Sequence, residues 1–187
     1  MQRYVIEKSA LSYFFTADTR SAALWLIARV WLGYEWFIAG WEKFQNPAWW
    51  GNDAGAAISG FAQGALHKTA EFCTNPAACH PDVQGWYAGF IQQTLVAHPY
   101  FWSHLITLGE MAVGVGLILG CLTGIAAFFG VVMNLNFMLA GSVSVNPIWA
   151  TVGILIILAW RVVGYYGADR YVLPILSRSV RLRGREG

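Results

Sequence analysis

Charge is what this chain has least of. Asp, Glu, Lys and Arg make up 12% of its 187 residues, about half the share found in soluble domains. That scarcity excludes an ordinary water-facing surface all round. The net charge is +2 and no basic patch is interleaved with base-stacking aromatics, so nucleic acid is not an expected partner. Cysteine is scarce too, with three in the chain. The sequence has no CxxCH, no paired axial histidines on two spans, no GxGxxG and no Walker loop. Its histidines, His67, His80, His98 and His104, do not stand at helical ligand spacing. Neither a metal site nor haem is therefore expected. No internal repeat or low-complexity tract is present.

What fills the chain instead is apolar and aromatic. Hydrophobic residues reach 57% and aromatics 16%, with ten Trp and eight Tyr, as where amphipathic rings line two membrane–water interfaces. The expectation is one all-α integral membrane domain, residues 1–187, built as a four-transmembrane-helix bundle. The spans are read at Ser21–Trp41, about Phe101–Leu122, Gly124–Gly141 and Ile148–Tyr166. Asn46-Pro47 should end the first helix, and Pro147 suits the start of the last.

Basic residues orient the bundle. Arg3, Lys8 and Arg20 precede the first span, and Arg170, Arg178, Arg181, Arg183 and Arg185 follow the fourth. The segment between spans one and two holds only Lys43 and Lys68, and the two short connections hold none. An excess of Lys and Arg on the cytoplasmic side places both termini inside. The first span lacks a signal peptide's n-region and cleavage site and is read as retained. The tail, residues 167–187, is basic and juxtamembrane, suited to anionic lipid.

Residues 45–100 are too long for a plain connection. GAAISGFAQGALHKTAEF and DVQGWYAGFIQQTLVAH read as two amphipathic helices forming an outer cap, with CTNPAACHP between them. On an oxidising outer face Cys73 and Cys79 suit a structural disulfide; a redox-active pair and free thiols remain the other readings. Cys121 reads as an inert small hydrophobe.

Charges inside a span are costly and are functional candidates by default. Arg29, Glu35, Glu110 and Arg161 are such charges, joined by Asn134 and Asn136. Counting from each span's inner end at ~1.5 Å per residue puts all of them between roughly 10 and 20 Å deep. They should face inward and pair, with Arg29 expected to reach Glu110. One reading is that they only fix helix packing. The other is a headgroup pocket: Arg29, Asn134, Asn136 and Arg161 as donors to a quinone's carbonyls, and Glu110 and Glu35 as proton carriers. Gly33 or Gly114 would supply the gap for its tail. Lys43 reads either as a cationic handle for an anionic substrate or as an interfacial lysine paired with Glu42.

Two stretches carry a resemblance, RVWLGYEWFIAGWEKFQNPAW and GEMAVGVGLILGCLTGIAAFFGVVMNLNFMLAGSVSVNP. With four spans, they are similar to the DoxX/DoxD family, and resemble most its DoxD-like branch, the large membrane subunit of thiosulfate:quinone oxidoreductases. The resemblance runs from about Arg29 to Trp160. It implies a four-helix bundle in a bacterial or archaeal inner membrane, oxidation of thiosulfate to tetrathionate with electrons passed to membrane quinone, and a second, single-anchor subunit.

Three functions compete. The leading one is a quinone-linked oxidoreductase subunit using thiosulfate or a similar reductant. The second is a non-enzymatic accessory or assembly subunit of a larger membrane redox complex, or a homo-oligomer. The third, a small-solute carrier, is disfavoured because no paired broken helices are seen.

Overall fold

In a computed structural model of the protein, residues 9–73 and 80–175 are described. They form helices and connecting turns, with no strand among them. A short helix, α1 (Ala10–Ala17), is capped by the Ser9 side chain, which accepts from the Ser12 amide. The composition had not suggested this helix.

The helix α2 (Ala22–Gln45) runs four residues beyond the expected span and stops at Asn46, just before Pro47. The chain then turns into α3 (Ala56–Leu66) and α4 (Gly85–Ile91), which continues as a wide π turn over Gln92–Val96. Next come α5 (Pro99–Leu119), α6 (Thr123–Leu139), α7 (Asn146–Leu158) and a single turn, α8 (Trp160–Val163). Proline opens α5 and sits in the first turn of α7, where a missing N–H costs nothing.

Helices α2 and α5 lie antiparallel with their backbones in contact. A Cβ on Gly33 would stand 2.9 Å from the Gly114 carbonyl oxygen, and one on Gly114 would stand 2.5 Å from the Phe37 amide nitrogen. The expected gap at these glycines is thus a tight seam, because two Cβ-free faces meet there. α6 packs on α5 and α7, and a core of Leu32, Trp36, Val113, Leu117, Ala127 and Ile156 fills the space. The cap has its own core, with Ile58, Ala62, Val83, Tyr87 and Ile91.

Outside, the long helices present Leu105, Leu108, Leu119, Phe128, Phe129 and Leu155 to their surroundings, an apolar surface unsuited to water. Among the described residues two helical stretches, Thr19–Gln45 and Pro99–Leu119, are long and apolar enough to cross a membrane. α6 and α7 are apolar but have 17 and 13 residues, about 26 and 20 Å of helix at 1.5 Å per residue.

The turn that joins α5 to α6 is held from both sides by charge. Gly120 takes the left-handed conformation (φ 63°) that ends α5, and Arg29 donates to the Leu117, Ile118 and Tyr166 carbonyls at 2.6, 2.9 and 2.8 Å. Asp169 accepts from the Leu122 and Thr123 amides at 2.6 and 2.9 Å. A cation thus meets the carbonyl end of one helix and a carboxylate the amide end of the next, each matching the helix dipole.

Candidate functional site

At the cap end the bundle opens into a cavity of about 280 Å³. Its floor comes from α2 and α5. Trp36 and Lys43 are seven residues apart on α2 and so share a face, and Glu110 projects from α5. Trp149 and Asn146 come from the first two turns of α7, Phe137 from α6, and Trp49, Ile58 and Phe61 from the cap side. Ser142 and Ser144 complete the rim. They lie in a contorted loop where Gly141 and Ser144 both take positive φ (71° and 36°). That loop is tied to the cap by Lys68, which donates to the Gly141 carbonyl at 2.7 Å.

The chemistry is concentrated in one ion pair. Lys43 Nζ lies 2.7 Å from Glu110 Oε2, with side-chain exposures of 21% and 2% respectively. The ammonium also stands 5.2 Å from the centre of the Trp49 ring, within cation–π range, and near the carbonyl end of α2, where a positive charge is favoured. Trp36 and Trp149 pack 5.3 Å apart at the opposite wall. Net charge at the floor is zero, and the walls are mostly aromatic.

This differs from the expected polar layer. Arg29 does not pair with Glu110: it lies near the far end of α5, where backbone carbonyls take its guanidinium. Lys43 takes Glu110 instead, because Gly40 lets α2 approach α5 closely beside Met111, so the long lysine folds back along the seam. Nor does Lys43 pair with Glu42, which is exposed. Glu35 is half-buried and, among the described residues, makes no hydrogen bond or ion pair; it does not line the cavity. Arg161 is exposed and lies over the Trp160 ring. The break at Ala159 ends α7 before it and turns it out of the bundle.

The two asparagines separate. Asn134 is buried, and its amide has no hydrogen-bond partner; an amide so placed costs about 1–3 kcal/mol. Asn136 faces the cap, where the Tyr87 hydroxyl donates to its carbonyl and Oδ1 at 2.9 and 3.0 Å. Burial pushes that phenol up to about 12. Cys73 is disulfide-bonded; Cys79, its expected partner, lies outside the described residues, as do Arg178, Arg181, Arg183 and Arg185 of the tail. Cys121 is a free thiol.

Sequence reasoning missed the aromatic walls and the carboxylate at Asp169. The i, i+7 spacing of Trp36 and Lys43 was the available signal for the first. For Asp169 there was none, since the turn it caps is remote in sequence.

No curated protein and no solved structure matches the chain. The DoxX family model matches residues 24–142, a stretch that contains Lys43, Glu110 and the seam of α2 with α5. The chain belongs to the DoxX family of membrane proteins.

Proposed function

We propose that this chain is a quinone-binding subunit of a membrane redox system, with the headgroup seated in the Lys43–Glu110 cavity. The observation that carries the reading is an ammonium–carboxylate pair at 2.7 Å on the floor of an aromatic-walled cavity. A quinone headgroup is neutral, flat and bears two acceptor oxygens. Indole faces suit its ring, the third N–H of an ammonium already bonded to Glu110 and the Ala39 carbonyl suits a quinone oxygen, and about 280 Å³ is close to the ~300 Å³ lower end of ligand pockets.

In the same reading the bundle spans the inner membrane four times, with the cap outside. α7 covers residues 146–158, about 20 Å of helix, and the turn α8 follows after the break at Ala159; a locally thinned bilayer accommodates so short a span. Arg20, Arg161 and Arg170 sit at the end away from the cap. At the cap end stand Lys43 and Lys68; pairing does not separate the two ends, since Arg20 is bridged to Asp18 as Lys43 is to Glu110, and the count of basic residues does. This asymmetry supports cytoplasmic termini.

Bound quinone supplies a two-electron, two-proton acceptor. Lys43 Nζ orients the headgroup and holds the proton nearest to it. Glu110 Oε2 fixes that ammonium in place. Protons reach the headgroup from the exposed side of Nζ, since Glu110 is buried beneath it. Trp36 and Trp149 limit water around the exchange.

The pairing also bears on the reductant. Lys43 is already balanced by Glu110, so a thiosulfate dianion gains little there. We assign oxidation of thiosulfate, or of a related small reductant, to a partner subunit and quinone to this chain.

The test is binding of a tail-less quinone to the detergent-purified protein, followed by quenching of tryptophan fluorescence. Wild type should bind saturably, and Lys43→Met should weaken binding about tenfold, the loss of one charged hydrogen bond. Unchanged affinity in a folded Lys43→Met variant would sink the proposal and favour an accessory subunit without a quinone site.

A further inference from the structure

Beside the Lys43–Glu110 cavity lies a second one, of about 220 Å³, between the cap and the cap-end halves of α5 and α6. Its walls include Leu95, Trp102, Ile106 and Val132, with polar side chains only from Tyr87 and Asn136. Those two already bond to each other, so the cavity offers hydrocarbon walls and few unmet polar groups. Such a space suits an apolar occupant over water. The wide π turn of Gln92–Val96 sets Leu95 into the wall, and π turns recur at functional sites. Phe90, 37% exposed, also lines it.

Phe61 and Phe137 line both cavities. Their rings meet edge to face, with centroids 6.1 Å apart and planes at 85°. We infer that the two cavities are the two halves of one ligand site, in which this aromatic pair is the shared wall and the apolar half takes the ligand's hydrocarbon tail. The inference rests on the quinone reading of the polar half and names the class of quinone: one with an isoprenoid or alkyl chain. Rotation of Phe61 and Phe137 about their side-chain bonds is the motion that joins the halves. The polar half alone would accept a tail-less ring. The apolar half adds selectivity for the tailed form, so discrimination between the two is its signature.

The experiment compares a tail-less quinone with its decyl-tailed analogue, by tryptophan quenching, in wild type and in Ile106→Phe. Ile106 lines only the apolar half. The variant ratio cancels the partition of the tailed compound into detergent. Filling the cavity should cut the preference for the tailed compound roughly tenfold, as expected for an overpacked site, while tail-less affinity stays within twofold. Val132→Phe, from the other wall, provides the same comparison if Ile106→Phe does not fold. An unchanged preference in a folded variant overturns the two-half site and leaves the quinone reading standing. Absence of tail-less binding in wild type removes that reading and this inference with it.

Discussion

Replacing Arg29 by methionine should destabilise the bundle by several kcal/mol. The guanidinium makes three hydrogen bonds, to the Leu117, Ile118 and Tyr166 carbonyls, and is buried. Bonds from a charged donor are each worth about 1.5–3 kcal/mol net, which gives an upper bound near 9 kcal/mol. Desolvation of the cation opposes much of that, and the buried Nε makes no bond at all. The net loss is then about 3–5 kcal/mol, the usual scale for breaking a buried charged group from its partners. At roughly 2–4 °C per kcal/mol for a chain of this size, the melting temperature in detergent should fall by about 6–20 °C. Arg29→Lys should recover less than half, because one ammonium cannot span carbonyls from α5 and from the segment after α8. Gly120→Ala should fall in the same direction, since a Cβ there would stand 2.5 Å from Arg29 Nη1 at a φ of 63°. Melting curves of Arg29→Met and Arg29→Lys that overlay wild type would refute the reasoning.

The Lys43–Glu110 pair should respond asymmetrically. With side-chain exposures of 21% and 2%, Lys43 can turn to water when its partner is lost, whereas Glu110 cannot. Lys43→Met should cost about 3 kcal/mol and Glu110→Gln about 1; equal losses in thermal unfolding would contradict the burial. Asp169→Ala removes the acceptor of two amides at the start of α6 and should cost about 2 kcal/mol, with faster amide exchange at Leu122 and Thr123. Unchanged exchange there would rule out the cap. Tyr87 tests alkaline pH. Its folded value, about 12, lies above the usual ~10. The contribution of its neutral phenol is therefore complete below pH ~10 and lost as pH rises towards 12. Tyr87→Phe should flatten the fall in stability over that interval; an identical alkaline slope would show that the phenol ionises without cost.

The sequence made the apolar runs legible because helix length in a membrane is set by bilayer thickness, independent of tertiary detail. The two amphipathic stretches of the cap were visible as well, and α3 and α4 with its π turn fall within them. Partner choice was another matter. Depth counted along each span treats the helices as smooth rods, and so Arg29 and Glu110 looked level. In fact the turn at Gly120 captures Arg29, and Lys43 folds back from the end of α2 to Glu110. Asn134 and Asn136 are two residues apart and therefore about 200° around a helix, so they could not share one face; that much was readable. Arg161 depended on a break at Ala159 for which no proline or glycine gives notice. Glu35 carries the signature of a functional intramembrane charge, yet its side chain meets no partner among the described residues.

The central claim, that a quinone headgroup sits against Lys43 and Glu110, is tested most directly by photolabelling. The purified protein is irradiated with an azidoquinone, digested, and the labelled peptides are read by mass spectrometry, with unlabelled quinone as competitor. The account predicts competed label on Trp36, on Trp149 or in the Ser142–Ser144 loop, all around the cavity, and its loss in Lys43→Met. Label concentrated instead at the opposite end, in the cavity of about 340 Å³ lined by Leu122, Thr123 and Asp169, or label that competitor does not displace, would contradict it.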